Sequence, residues 1–375
     1  MKFANCTGTT IGKNEGNATG FPQGNLAAAQ DGGLTKSHVV TSNGTTGLDI
    51  IANDVGYVST IQIGTVVPAV SLPVVDTDVV IGSGSADTWV GATNCKNDQS
   101  GQPCSAKHVT LGTRTSSSLA NTGKTFQVTY GAGAVAGLII TDNIVFAGLP
   151  LDNHTFGVST IETVEFSADN IPFDGLVGLA QSTLSNQRVL TPVESLAEQG
   201  SISAAIASFK IPRLADQKND GQVTFGGLPQ GLFDPTTLVT VNNVNQRGFW
   251  ESAVDAFTVN GQDTGLSERT AIMDTGTTLI IAPAADAAAI HAVIPGAQKA
   301  DQLGQGLFTL PCTTNVSVAL TLGVNQNDLT GDCVSGISAG TVGGSQEWLV
   351  GDVFLKNVMF STDVGKNTLS FAKLV

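Results

Sequence analysis

Short alternating runs, not helical stripes, dominate this chain. Tyr57-Val-Ser-Thr-Ile-Gln-Ile63 alternates apolar and polar positions, and Lys124-Thr-Phe-Gln-Val-Thr-Tyr130, Leu138–Phe146 and Gln222-Val-Thr-Phe-Gly226 form similar runs between turn residues. A period of two sends successive side chains to opposite faces of an extended backbone, so these runs predict half-buried strands. Helical signals are few. Pro192-Val-Glu-Ser-Leu-Ala-Glu-Gln199 has proline near its start and Gly200 after its end, and Ala284–Ile294 is alanine-rich; both predict short helices. Residues 1 to about 45 are rich in Gly, Asn, Thr and Ser without periodicity. They predict a flexible lead, with order beginning near Gly56.

Composition sharpens this picture. The 375 residues are enough for two domains with cores of their own, and 44 glycines with only 13% charged residues suit many short strands joined by turns. A net charge of −14 excludes a nucleic-acid binder, which needs Lys and Arg against phosphate. No apolar run reaches the ~18 residues of a membrane span. The acidic balance suits a secreted protein and equally one that works in acid, where carboxylates protonate and self-repulsion fades.

Cys95 and Cys104 bracket a polar loop, and Cys312 and Cys333 bracket a longer segment, leaving Cys6 over. Two local pairs predict two disulfides and an oxidising compartment; neither has the spacing of a zinc site. Sequons at Asn5, Asn17, Asn43, Asn153 and Asn315 fit a secretory route. Met1–Ala29 lacks the apolar core of a signal peptide, so a truncated start is expected.

A weak repeat runs through the chain. Ile81-Gly-Ser-Gly-Ser85 has a partner in Ile272-Met-Asp-Thr-Gly-Thr277, and each is followed later by apolar-apolar-Gly, Leu176-Val-Gly178 and Leu349-Val-Gly351. Two similar halves predict two related lobes with a cleft between them.

Ala271-Ile-Met-Asp274-Thr-Gly276-Thr-Thr-Leu279 carries the strongest chemical signal. A carboxylate at the tip of a buried apolar strand is costly unless hydrogen-bonded or protonated. Gly276 permits a tight turn whose N–H reaches the carboxylate, and Thr275 and Thr277 supply hydroxyls to orient it. The segment resembles the second catalytic loop of the pepsin-type aspartic proteases, most nearly the secreted enzymes of mushroom-type fungi. The resemblance covers Gly56–Val375: Tyr130-Gly131-Ala-Gly133 is similar to the flap that closes over substrate, and Phe173–Gly178 and Trp348–Phe354 to the segments beneath the catalytic loops.

The resemblance implies a mainly antiparallel, all-β bilobal fold with a few short helices: a lead over 1–53 and lobes over 54–230 and 231–375. It implies a secreted, monomeric endopeptidase acting on protein or peptide substrates in acid, without metal or organic cofactor. Two aspartates share a proton because both cannot ionise at about 3 Å; one deprotonates water while the other polarises the peptide carbonyl. Asp274 would be one. Trp89, Tyr130, Gly131, Gly276, Thr277 and Thr278 would contact or shape the substrate site.

The first loop departs from the pattern. Counting back from Trp89 puts the catalytic position on Gly82; counting forward from Ile63-Gly-Thr65 puts it at Asp76, preceded by Val74-Val75 but with Asp78 in the glycine position. Three readings stand. Gly82 fills the site and leaves a non-catalytic peptide or protein binder; or Asp76 fills it, with about six extra residues bulging beyond; or Val66–Ile81 is partly mistranslated and the natural protein carries Asp where Gly82 stands. Asp87 is expected to face away from the dyad as a solvated or capping residue. The scattered histidines, without a Gly-X-Ser-X-Gly elbow, argue against a serine hydrolase.

Overall fold

The computed structural model describes residues 34–52, 54–65, 75–300, 305–311, 316–321 and 336–375. Cys6, Cys312 and Cys333, the sequons at Asn5, Asn17 and Asn315, and most of the expected lead lie outside these residues.

Ten strands open the chain: β1 (Leu34–Thr35), β2 (Thr45–Gly47), β3 (Asp49–Ile51), β4 (Gly56–Ile63), β5 (Val75–Gly82), β6 (Trp89–Asn97), β7 (Ala120–Thr129), β8 (Ala134–Phe146), β9 (Leu149–Glu162) and β10 (Gly175–Gly178). All but β2 join one nine-stranded sheet in the order β1-β3-β4-β5-β10-β6-β9-β8-β7. Order thus begins earlier than the pattern predicts. Leu48, Ile50 and Ile51 are buried, but runs of two or three residues are too short to display a period. They are held by pairing with β4 and with Gln222–Phe225.

The repeat seen in the sequence is a repeat of topology. In the first half β5 lies parallel to β10, β10 antiparallel to β6, and β6 parallel to β9. In the second half Arg269–Met273 lies parallel to Glu347–Val350, which runs antiparallel to Ile280–Ala282, itself parallel to Ile337–Ala339. Ile81 pairs with Val177 as Met273 pairs with Val350. The loops that follow Ile81 and Met273 therefore occupy equivalent places.

A six-stranded sheet joins the halves, in the order Val239–Asn242, Thr368–Lys373, Val358–Asp363, Ile206–Lys210, Gln222–Phe225, β2. The main core runs continuously through both halves, from Tyr57 and Ile81 to Trp250, Met273 and Trp348. Both expected helices form. Pro192–Glu198 carries a capping box between Thr191 and Glu194, and Ala284–Ala292 follows the second loop. Cys95 and Cys104 are disulfide-bonded, closing a short loop worth about 2–3 kcal/mol in chain entropy.

Candidate active site

Two loops meet tip to tip where the parallel strand pairs end. Their backbones are locked reciprocally. The Ser83 hydroxyl donates to Met273 O (2.8 Å) and accepts from Thr275 N–H (3.0 Å), while the Thr275 hydroxyl donates to Ile81 O (2.7 Å) and accepts from Ser83 N–H (3.1 Å). Both side chains are buried. Small hydroxyl residues serve here because each must donate and accept at once in a space closed to water. This pairing makes Ser83 the equivalent of Thr275, and so Gly82 the equivalent of Asp274.

Asp274 is fully engaged. Oδ1 accepts from Gly276 N–H (2.8 Å) in its own loop and from Gly84 N–H (2.9 Å) in the other; Oδ2 accepts from the Thr277 hydroxyl (2.7 Å). Three donors offset the cost of half-burying the carboxylate. The glycines differ in purpose. A Cβ at Gly84 would stand 2.4 Å from Asp274 Cγ, so that position must be bare. A Cβ at Gly82 would meet only Gly276 Cα, at an ordinary 3.8 Å.

Asp76 is elsewhere. It lies exposed near the start of β5, accepting from Gln62 Nε2 (3.0 Å), and six steps of strand, about 20 Å, separate it from Gly82. Residues 75–80 pair with β4 without a register break. The structure does not bring Asp76 to Asp274, and no bulge separates it from Gly82, because β5 runs straight from one to the other. Of the segment Val66–Ile81, the part before Val75 lies outside the described residues.

The residues expected to form the flap come together. Tyr130 and Gly133 turn the β7–β8 hairpin, Tyr130 N–H donating to Gly133 O (2.7 Å), with Gly131 exposed at the tip. The Trp89 indole N–H donates to the Tyr130 hydroxyl (2.9 Å), and Phe166 packs edge-on against both rings. Burial, partly opposed by the Trp89 hydrogen bond, raises the Tyr130 phenol well above its usual range. Thr277 is buried and spends its hydroxyl on Asp274; Thr278 donates to Val55 O. Thr275, expected to orient the carboxylate, instead ties the loops together.

Two further acids complete the picture. Of the two roles expected of Asp87 the structure shows capping rather than solvation: it is buried and accepts from Ser185 Oγ (2.8 Å), Asn186 N (3.1 Å), Asn186 Nδ2 (2.8 Å) and Gln187 N (2.9 Å). Asp352, just after Gly351, is as deeply buried, yet neither oxygen has a hydrogen-bond partner among the described residues. Burial first, then the charge of Asp274, pushes its carboxyl well above the ordinary range. The doublet Gly351-Asp352 was the available signal, since a charged residue directly after an apolar-apolar-Gly strand end must be buried. Cys95, Cys104 and Glu162 also lie close together, but both sulfurs are in the disulfide and offer no thiolate to a metal.

Comparison with known proteins points one way. The sequence profile described as "Eukaryotic aspartyl protease" matches residues 56–374. A protein named "Probable aspartic-type endopeptidase CTSD" from Arthroderma benhamiae is 32% identical over 345 residues, covering 88% of this chain and 64% of the relative. The chain thus spans less than two thirds of that relative's length. An "Aspartic protease" of Phaffia rhodozyma is 35% identical over 316 residues (78% of this chain, 72% of the relative), and "Rhizopuspepsin-1" of Rhizopus niveus is 32% identical over 328 (83% and 78%).

Proposed function

The chain belongs to the eukaryotic aspartyl protease family, and from that premise we propose that its cleft is built to take extended peptides for endoproteolysis in acid, and that Gly82 leaves this chain holding such peptides without cleaving them. The reciprocal lock between Ser83 and Thr275 carries the reading, because it sets residue 82 opposite Asp274. Paired-carboxylate hydrolysis needs an acid at each loop tip: one ionised to take a proton from water, the other protonated to polarise the scissile carbonyl. Glycine can do neither. Asp274 supplies one hydrogen-bonding group to a bound peptide, and Tyr130, carried on the flap and braced by Trp89, closes over it. Lobes over about 54–230 and 231–375 supply the two walls. The reading includes export to an oxidising compartment, supported by the Cys95–Cys104 disulfide.

The relatives' names favour a second reading, in which the chain hydrolyses peptides as it stands. One experiment separates the two. Purified protein is assayed on a denatured protein substrate at pH 3 to 5, with and without the peptidic inhibitor pepstatin, beside Gly82→Asp. The proposal expects a silent parent that binds immobilised pepstatin, and a variant with pepstatin-sensitive cleavage. Pepstatin-sensitive cleavage by the unmodified chain would overturn it.

A further inference from the structure

A cavity of about 620 Å³ opens between the start of β9, the loop from Ser182 to Leu190 and the helix Pro192–Glu198. Besides Ser185, whose hydroxyl is spent on Asp87, two polar side chains in its wall are more than nine-tenths buried: His154, 4% exposed, and Ser195, 7% exposed. Neither side chain has a hydrogen-bond partner among the described residues. Their polar tips open on the cavity rather than being sealed in the core, so both are free to hydrogen-bond something that enters it. Desolvation holds the His154 imidazole down to about 4. At milder pH it is neutral, offering one N–H and one lone pair, a match for amide and hydroxyl groups more than for an anion.

At the same wall stands Asn153, the first residue of the sequon Asn153-His154-Thr155. Asp142 pairs with His154 and Ile144 with Leu151, so the register breaks and Asp152 and Asn153 together oppose Asn143. Such a bulge redirects a side chain. Here Asn153 adopts a left-handed φ of 49°, its N–H donates to Asn143 Oδ1 (3.0 Å), and its own carboxamide is exposed and unbonded among the described residues. The bulge leaves a modifiable amide at the cavity mouth.

We propose that Asn153 is N-glycosylated and that its first N-acetylglucosamine is seated in this cavity, its acetamide and hydroxyls meeting His154 and Ser195. The donor is a lipid-diphosphate-linked oligosaccharide. Asn153 Nδ2 forms the bond to sugar C1, the C1–O bond to the diphosphate breaks, the lipid diphosphate leaves with that electron pair, and the amide nitrogen loses one proton. The sugar's apolar ring face lies along Val189 and Leu190, the latter 40% exposed. The proposal rests on the secretory route included in the functional reading, but its test involves no proteolysis.

The full chain is produced behind a secretion leader in a eukaryotic host, and the peptide containing Asn153 is weighed before and after complete enzymatic deglycosylation. A glycan there is expected, absent in Thr155→Ala and kept in Thr155→Ser; an unmodified Asn153 overturns the site. An endoglycosidase that leaves one sugar on the asparagine is then compared with complete removal. The one-sugar form should melt with the intact glycoprotein, and the bare form about 2 °C lower, a gap that Ser195→Ala narrows. Equal melting of the one-sugar and bare forms, or a crystal structure of the one-sugar form with its sugar in solvent, overturns the seat.

Discussion

The two loops at the centre of this molecule have the same backbone and different chemistry. Ile81–Ser85 and Met273–Thr277 end equivalent strands, exchange equivalent hydroxyl bonds and approach each other through glycines. Only the second presents a carboxylate. In the first, Gly84 N–H and the Ser83 hydroxyl hold the second loop in place, while residue 82 contributes backbone alone. On the reading proposed above, geometry and reactivity are separable in this fold, and a loop can be kept for what it does to its partner.

The comparison breaks most visibly if its missing acid is restored. Gly82→Asp should gain cleavage by roughly 10³-fold over the parent, and Asp274→Asn added to it should abolish the gain, read as peptide release in acid. Next come the glycines, compared by thermal melting. Gly84→Ala should cost about 3 kcal/mol because its methyl meets the Asp274 carboxyl. Gly82→Ala should stay within about 1 kcal/mol; a larger loss would mean residue 82 is backbone-restricted and could not have borne a side chain.

The buried acids flanking the loops form the third contrast. Asp87→Asn should destabilise by about 3 kcal/mol, since it sets an amide against four donors. Asp352→Asn should act through pH. Its raised carboxyl keeps its proton in the folded protein while the unfolded chain ionises near 3.8. Folding is thus uncosted below that value and loses stability as pH rises towards the folded group's higher pKa. Asparagine imitates the protonated form, so denaturant midpoints taken across pH should decline less steeply in the variant.

Smaller still, Ser83→Ala and Thr275→Ala should each cost about 2 kcal/mol, and near equality of the two losses is the sharpest check that the loops brace each other reciprocally. Asp76→Asn should change stability by less than about 0.5 kcal/mol and leave pepstatin binding untouched.

Much of this was legible in the chain. The Asp274 motif, the flap and the paired apolar-apolar-Gly segments carried the fold because each is a local pattern with one structural solution. The position of Gly82 was legible by counting from Trp89. Asp76 misled because Val74-Val75 imitates the approach to a catalytic aspartate. Yet Asp76 and Asp78 are two apart on one strand and share a face, and Gln62 and Thr60 on β4 hydrogen-bond them there. Alternation read through to Ile81 would have turned both outward. Partnerships between distant residues were not readable. Nothing local tells that Asp87 finds four donors nearly a hundred residues away while Asp352 finds none among the described residues, or that Thr275 serves the opposite loop.

The sheet that joins the halves has a consequence for how the protein is made. Its middle strand, Val358–Asp363, pairs with Ile206–Lys210 on one side and Thr368–Lys373 on the other, so it leaves the ribosome long after Ile206–Lys210. Until then Ile206–Lys210 keeps one edge open, and β2 at residues 45–47, joined to it through Gln222–Phe225, belongs to an incomplete sheet. Contacts this distant along the chain fold slowly and leave unpaired edges open to aggregation. A nascent chain stalled before residue 358 would be a sticky object, dependent on chaperones in a way the finished protein is not.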